Sequence, residues 1–331
     1  MAAVVIAAFL LSSEVYAQKA VERGYATINA EQARNYVGFL ADDLLQGRDA
    51  GMPGGLIAGR YIVSLLKEWG VEPFLESGYY QPFEAVRVTE PYRGRWEVHA
   101  DSLTRIKGSG AHNLRCMNNI LAVIPGERAD EFVIIGAHYD HLGYACDIEN
   151  DGCYNGADDN ASGVSAVLQI AKAMLLSGKK PLRTVIFAFW DGEEKGLLGS
   201  KYFVANWQKP ERIKGYMNFD MVGRGPVDNP RYLKYFYTEA HPLFGDWLRA
   251  DVEERGFCFL PDYRPWDNPI GGSDNGSFAL VGVPIVWYHT DGHPDYHRPS
   301  DSADKIDYPK LLDITRAAYL CAWRMANEKD F

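Results

Sequence analysis

Three carboxylates follow a run of apolar and aromatic residues in the segment FAFWDGEEKGLLGS, residues 187–200. They are Asp191, Glu193 and Glu194. Such a segment is typical of an acidic surface turn after a strand. Neighbouring carboxylates can also bind a divalent cation and take a proton from water, provided that further ligand-type side chains lie close to them. The rest of the sequence therefore decides between a surface turn and a reaction centre.

Ligand-type side chains also lie beside several other short apolar runs and helical patterns. These further candidates are His138, Asp158, Asp159, Asp220 and His297. Taken singly, each has a structural explanation, such as a strand-end histidine, a helix N-cap or a hydrogen-bonded buried carboxylate. Gathered at one place, they would concentrate buried negative charge, which is costly unless cations are present. The set predicts a site for divalent metal if the fold brings these segments together.

The elements that carry these residues are short apolar strands separated by helical patterns. Strands are predicted in NNILAVIPG, EFVIIGAH, TVIFAFWDG, GYMNFDMVG and VPIVWYHT, and amphipathic helices precede them over 29–45 and 55–70. This alternation predicts an α/β fold with a mixed, largely parallel central sheet and helices on both faces. In such sheets the functional groups gather at the carboxyl ends of the strands. The candidate residues are therefore expected at one sheet edge.

Composition and charge restrict the function further. The chain has 331 residues, 47% of them hydrophobic, which suits one large α/β domain or two small ones. Its formal net charge of -10 argues against a nucleic-acid partner, because nucleic-acid binding needs basic surface. The five cysteines include no CxxC pair, so a zinc site made of cysteines is not predicted. Cys146 and Cys153 flank an acidic loop and are candidates for a local disulfide.

Six segments together resemble the motifs of the di-zinc aminopeptidase family, which includes secreted bacterial leucyl-type aminopeptidases and aminopeptidase Y. The segments are GAHYDH, NGADDNASG, DGEEKGLLGS, NFDMVG, GGSDNGSF and DYHRPSDSADKI. The ligand motifs among them occur in the family's order, and the resemblance covers roughly residues 30–325. It implies the zinc-exopeptidase architecture, which is phosphorylase/hydrolase-like.

The resemblance assigns a metal ligand set and implies two Zn²⁺ per chain. His138 and Asp220 would bind one zinc, Glu194 and His297 would bind the other, and Asp159 would bridge both. Each zinc then has three protein ligands and room for a shared water, which is the arrangement of catalytic zinc.

The resemblance also gives the two adjacent glutamates different roles. Glu194 is a zinc ligand, whereas Glu193 is the general base that takes the proton of a metal-bridging water and passes it towards the leaving amine. Asp140 lies two residues beyond His138 and is expected to orient its imidazole.

Three other positions are of interest in the comparison with the family. Tyr296 is a candidate for stabilising the oxyanion, the alternative being a buried structural tyrosine. A strained peptide bond is implied between Asp158 and Asp159, with Asp158 in a conformational role. Asn275 stands where many relatives carry a histidine after "SD", so the substrate side of the pocket is expected to differ.

Residues 1–17 are predicted to be a signal peptide, because a short apolar stretch precedes small residues at Val15 and Ala17. No Lys or Arg precedes that stretch. The mature chain is then expected in the periplasm or outside the cell, without stable membrane association. Residues 18–331 are predicted to form a single catalytic domain. The interval of about 35 residues before NNILAVIPG is too short for the protease-associated insert that several relatives carry.

The favoured function is that of a metallo-aminopeptidase, which hydrolyses N-terminal amino acids from peptides with a free N-terminus. The first alternative is a glutaminyl cyclase, a single-zinc acyltransferase that forms N-terminal pyroglutamate, although the intact DDNASG favours hydrolysis. A non-catalytic, receptor-like relative would have lost ligands or the base, and none is missing here. A carboxypeptidase would need a positive group for the substrate C-terminus, for which Arg224 and Arg298 are candidates.

Overall fold

The computed structural model describes residues 17–88, 95–98, 103–104, 114–145, 151–266, 272–329 and 331. The strands are β1 (Glu72–Pro73), β2 (Tyr80–Val88), β3 (Arg95–Glu97), β4 (Leu114–Ile124), β5 (Arg128–His138), β6 (Gly143–Tyr144), β7 (Cys153–Tyr154), β8 (Arg183–Trp190), β9 (Ile213–Phe219), β10 (Tyr232–Thr238), β11 (Leu260–Trp266) and β12 (Ile285–His289). All except β6 and β7 form a ten-stranded sheet in the order β11-β10-β12-β9-β5-β8-β4-β2-β3, with β1 beside β4. β6 and β7 pair separately with each other.

The centre of the sheet is parallel and its two flanks contain antiparallel pairs. The four central strands, β12, β9, β5 and β8, run in the same direction. On one side β10 pairs antiparallel with β12, and on the other β4, β2 and β3 continue antiparallel from β8. Every residue of β8 is buried, as expected for a strand covered on both faces. The predicted mixed sheet is confirmed, with most of its parallel pairing in the centre.

Helices cover both faces of the sheet. They are α1 (17–25), α2 (Ala30–Leu40), α3 (Pro53–Trp69), α4 (Gly163–Leu176), α5 (Leu198–Ala205), α6 (Leu243–Arg255), α7 (Asn275–Ala279) and α8 (Tyr308–Asn327). Val133 and Ile135 of β5 belong to the core cluster that contains α2, α3, α4 and α8. Ile134 points to the opposite face and packs in a cluster with Phe203 of α5 and Phe278 of α7. The prediction of helices on both faces is therefore confirmed.

The first predicted amphipathic helix ends earlier than expected. α2 begins after Asn29, whose side chain accepts a hydrogen bond from the Gln32 N–H at 2.9 Å. It ends at Leu40 rather than at residue 45, because Asp42 caps a separate turn, Asp43–Arg48. The last residue of this turn, Arg48, lies close to the sheet edge that carries the candidate site, where it contacts Tyr139 just after β5.

Two sequence predictions fall outside the described residues. The predicted signal peptide lies almost wholly in residues 1–16, and Cys146 of the candidate disulfide lies in residues 146–150. The interval between β2 and β4, where several relatives carry an insert, is described only at 95–98 and 103–104. Within the described ranges, no helix has both the length and the apolar character needed to cross a bilayer.

Candidate functional site

Four parallel strands bring the candidate residues to one edge of the sheet. His138 is the last residue of β5, and Asp220 directly follows β9. Glu193 and Glu194 lie in the turn after β8, and His297 lies in the loop beyond β12. Because neighbouring parallel strands end on the same side, these residues meet although they are far apart in the sequence.

The first group of donors contains His138, Asp159, Asp220 and Glu193. His138 Nε2 lies 3.3 Å from Asp159 Oδ1 and 3.7 Å from Asp220 Oδ1. The ligand atoms of His138, Glu193 and Asp220 all lie within 4.8 Å of one another. We call this group the first donor cluster.

The second donor cluster contains Asp159, Glu194, His297 and His141. His297 Nε2 lies 3.1 Å from Asp159 Oδ2 and 3.4 Å from Glu194 Oε2. His141 Nδ1 lies 2.8 Å from Glu194 Oε1 and 3.8 Å from Asp159 Oδ2. Sequence reasoning missed His141, and its only signal was its place at the end of the segment GAHYDH.

Asp159 belongs to both clusters, with one carboxylate oxygen towards each. Two atoms that bind the same tetrahedral zinc lie about 3.4 Å apart, since each is about 2.1 Å from the metal. The separations of 3.1, 3.3, 3.4 and 3.7 Å fit that spacing. Imidazole and carboxylate groups are also ligands that zinc accepts. The residues therefore fit a pair of metal ions that share one carboxylate.

Buried acidic groups in this region exceed what its basic groups can balance. Burial raises the pKa of Glu193 well above its usual range, and the nearby Asp220 and Asp274 add to the shift. Burial, reinforced by Asp140, raises the pKa of Asp191 to about 8, and burial raises the pKa of Asp274 to about 7. These carboxyls cannot all be ionised without compensating positive charge. Divalent cations would supply that charge, which is a second observation in favour of a metal centre.

Carboxylates that face histidines show the opposite pKa shift. Burial opposes the charge on Asp159, but its three histidine neighbours outweigh that effect and hold its pKa well below the usual range. Burial and Asp159 oppose the charge on Glu194, yet contacts with His141 and His297 lower its pKa. Asp159 and Glu194 are therefore anionic in the form that a cation needs.

Asp140 lies beside His138, as the sequence predicts, and also contacts the turn that carries the two glutamates. Its carboxylate Oδ1 is 3.7 Å from His138 Nδ1, and that nitrogen lies closer, at 3.2 Å, to the backbone carbonyl of Asp140. The carboxylate instead accepts hydrogen bonds from the backbone N–H groups of Glu193, at 3.0 Å, and Glu194, at 3.3 Å. The Asp140 carbonyl thus orients His138, while its side chain fixes the turn that carries the two glutamates.

The unusual peptide bond lies one residue later than the family resemblance implies. The cis bond joins Asp159 to Asn160 rather than Asp158 to Asp159. The Asp158 carboxylate accepts a hydrogen bond from Gly223 N at 2.6 Å. Asp301 Oδ2 accepts the N–H groups of Asp158, at 3.0 Å, and Asp159, at 3.1 Å. The hydrogen bonds of Asp158 and Asp301 therefore fix the backbone that carries the Asp159 carboxylate.

Tyr296 lies at the exposed rim of the second donor cluster. Its side chain is 44% exposed, and its ring stacks on that of His297 with the centroids 3.8 Å apart. It is therefore not the buried structural tyrosine that was the alternative. Asn275 is buried, and the Nδ2 group of Asn218 in β9 lies 3.5 Å from its Oδ1. The departure from the family pattern at Asn275 thus lies in a buried layer beside β9.

A buried arginine from the N-terminal part of the chain also supports the site. Arg48 is 1% exposed and donates hydrogen bonds to four backbone carbonyls, those of Leu40, Tyr139, Asn155 and Gly156. Burial lowers the pKa of Arg48 to about 10, although nearby carboxylates such as Asp159 oppose the shift, so it remains charged at neutral pH. No local pattern marks Arg48 in the sequence, because its partners lie up to 108 residues away.

Comparisons with known proteins agree with this geometry. A sequence model of peptidase family M28 matches residues 119–322. Leupeptin-inactivating enzyme 1 of Streptomyces exfoliatus is 37% identical over 223 residues, which cover 62% of this chain and 48% of that protein. Leucine aminopeptidase 1 of Trichophyton rubrum is 39% identical over 218 residues, which cover 61% and 56%. The chain thus spans about half the length of the curated relatives it matches.

The fold is similar to that of BSAP, a zinc aminopeptidase from Bacillus subtilis. The match has a TM-score of 0.70 at 16% identity and covers 92% of this chain and 97% of that structure. At this identity the likeness establishes the fold alone. All five predicted ligands lie within the matched residues 119–322, namely His138, Asp159, Glu194, Asp220 and His297.

Proposed function

This chain belongs to peptidase family M28, and on that premise we propose that it is a zinc-dependent aminopeptidase that removes N-terminal amino acids from peptides. The observation that carries the proposal is the pair of donor clusters that share Asp159, with Glu193 in the first of them. His138, Asp159 and Asp220 would hold one zinc, and Asp159, Glu194 and His297 the other. Zinc bound in such sites polarises the peptide carbonyl and makes water more acidic.

The protein's own contribution to the reaction centres on Glu193. Its carboxylate belongs to the first donor cluster but is not one of the proposed zinc ligands, and its backbone N–H is held by Asp140 at 3.0 Å. In the proposed mechanism Glu193 accepts the proton of the attacking water and then donates it to the leaving amine nitrogen. Asp140 keeps Glu193 and Glu194 in one fixed turn, so that the base and the ligand cannot exchange places.

The pairing of Arg224 favours an aminopeptidase over a carboxypeptidase, which would need a positive group for the substrate's C-terminal carboxylate. Of the two candidate cations for a carboxypeptidase, Arg224 is already paired with Asp295 at 2.6 Å. Arg298 is an exposed residue in the loop that carries His297.

The decisive experiment compares four substrate classes with direct identification of the products. Aminoacyl chromogenic substrates and free peptides should be cleaved, whereas N-acetylated peptides should not, because acetylation removes the ammonium group. A glutaminyl peptide separates the cyclase alternative, since cyclisation expels ammonia and leaves the peptide bond intact. Release of C-terminal residues would indicate a carboxypeptidase. No turnover by fully metallated protein would favour the receptor-like alternative.

The number of metal ions is a separate prediction. Because the two clusters share only Asp159, purified protein reconstituted with zinc should retain about two zinc ions per chain after gel filtration. Elemental analysis by mass spectrometry measures this ratio. A reproducible value of one would favour the glutaminyl cyclase.

We also propose that the protein is exported and that its mature form begins near Gln18. The apolar stretch and the small residues at Val15 and Ala17 support this cleavage point. The chain begins to pack soon after it, because Ala20 is buried and Tyr319 Oη donates to the Val21 carbonyl at 3.0 Å. N-terminal sequencing of protein recovered from its native compartment tests the proposal. An intact Met1 would contradict it.

A further inference from the structure

His141 contacts the second donor cluster in a different way from the other histidines. Its side chain is fully buried, and its Nδ1 lies 2.8 Å from Glu194 Oε1. The other oxygen of that carboxylate, Oε2, is the one that lies 3.4 Å from His297 Nε2. The Glu194 carboxylate is thus held between two imidazoles, one on each oxygen.

The distances distinguish a hydrogen bond from shared metal ligation. The separation of 2.8 Å is a normal hydrogen-bond length and is shorter than the spacing of about 3.4 Å expected for two atoms on one zinc. A carboxylate can only accept, so the His141 Nδ1 must carry the proton. Ligation through Nδ1 would instead move that proton to Nε2, which is buried and has no hydrogen-bond partner in the described part of the chain. That arrangement would leave a buried donor unsatisfied.

We infer that His141 is a positioning residue whose Nδ1–H holds Glu194 so that Oε2 faces the second metal position. The inference rests on the proposed function, since it assumes that the second donor cluster binds a cation. His141 is then expected to affect the cation affinity of the second donor cluster alone. The first donor cluster, which does not contain Glu194, is expected to be unaffected.

The surrounding backbone fixes the His141 ring in this orientation. A Cβ atom added to Gly156 would lie 2.5 Å from His141 Cδ2 and 2.6 Å from His141 Cγ, so the ring packs directly on that glycine. The His141 backbone N–H donates to the Arg48 carbonyl at 3.1 Å. The preceding residue, Asp140, holds the Glu194 backbone N–H at 3.3 Å. Two consecutive residues after β5 therefore hold both the main chain and the side chain of Glu194.

Two polar substitutions test the inference without placing an apolar group in the site. An asparagine amide can place an N–H near the position of His Nδ1, whereas the longer glutamine places it near Nε2. His141→Asn should therefore keep zinc affinity close to that of the unmodified protein. His141→Gln should weaken one of the two zinc sites by roughly 10- to 100-fold, the usual effect of losing a group that orients a ligand. Competition with a chromogenic chelator measures both affinities, and His241→Gln, at a histidine outside the centre, is the control.

Cobalt substitution and a double variant separate positioning from direct ligation. With Co²⁺ at saturating concentration, His141→Gln should keep the d–d absorption spectrum of the unmodified protein, because the set of ligands is unchanged. A changed spectrum, or an ion lost from His141→Asn as well, would overturn the inference in favour of a ligand. In the Glu194→Gln background the effect of His141→Gln should largely disappear, while in Asp220→Asn it should persist.

The controls keep this inference distinct from the proposed function. Zinc titration of the unmodified protein comes first, and binding of fewer than two ions would contradict the proposed metal centre itself. Two ions in the unmodified protein with equal affinities in His141→Gln would instead overturn only the role of His141. Circular dichroism and thermal unfolding of each variant verify that the fold is retained, and an unfolded His141→Gln beside a folded His141→Asn supports the requirement for the Nδ1–H donor.

Discussion

Replacing Glu193 by glutamine should lower kcat by about 10²-fold or more while both zinc ions stay bound. Glutamine keeps the size of the side chain, and the backbone N–H of residue 193 can still donate to Asp140. It cannot accept the proton of the attacking water, and loss of a general base has an effect of this order. Burial raises the pKa of the Glu193 carboxyl, so its removal is not expected to destabilise the fold. Steady-state kinetics and metal analysis on the same preparation measure both quantities.

The matched control is Glu194→Gln, which makes the same chemical change one residue later. Glu194 Oε2 lies in the second donor cluster, so this variant should bind one zinc more weakly, and excess metal should restore part of its activity. Glu193 also lies within reach of His138 and Asp220, which makes metal analysis of both variants essential. If Glu193→Gln lost zinc and Glu194→Gln kept two ions at normal affinity, the two roles would be reversed. If neither variant affected peptide hydrolysis, the proposed site would be wrong.

Replacing Asp159 by asparagine should weaken both zinc sites together. Among the described residues, Asp159 is the only carboxylate whose two oxygens face different clusters, at 3.3 Å from His138 Nε2 and 3.1 Å from His297 Nε2. A neutral amide cannot present an anionic oxygen to both positions. We expect each affinity to fall by more than about 10²-fold, which exceeds the usual effect of altering a group behind a ligand. Chelator competition and zinc analysis measure the two affinities.

Single-cluster variants provide the comparison for Asp159→Asn. Asp220→Asn should weaken only the first site and Glu194→Gln only the second, since each belongs to one donor cluster. An Asp159→Asn protein that lost one ion and kept the other at normal affinity would show that Asp159 does not bridge. Retention of the fold in the metal-free proteins, measured by circular dichroism, verifies that the losses arise from ligation.

The approach of the candidate residues to one another could be predicted from the sequence because several of them follow a recognisable strand. His138 ends an apolar strand, and Asp220 directly follows another. If those strands are parallel neighbours, their carboxyl ends lie at the same edge of the sheet. The proximity of residues that are far apart in the sequence can then be predicted without knowledge of side-chain contacts. The direction of the strands at the two flanks of the sheet was harder to predict, because a buried strand has the same continuous apolar pattern whether it runs parallel or antiparallel to its neighbour.

Hydrogen bonds between the loops could not be predicted in this way. Whether the Asp140 carboxylate turns towards His138 or towards the N–H groups after β8 depends on differences of less than an ångström between two loops. The choice between a ligand and a positioning residue for His141 depends on which oxygen of Glu194 it reaches. The position of the Arg48 side chain depends on hydrogen bonds to four carbonyls from three separate segments. Strand periodicity carries no information about any of these.

The part of the chain that resembles other M28 proteins most clearly is not a unit that can be exchanged as a module. The matched region begins at residue 119, inside β4, whose partners β1 and β2 both come from upstream. A chimera joined at that point would break a strand in two and separate Arg48 from the carbonyls of Asn155 and Gly156. Grafts between relatives should therefore take their junctions upstream of α2, so that the helices before the sheet stay with the loops they hold. The contacts that hold the matched region in place therefore extend upstream of residue 119.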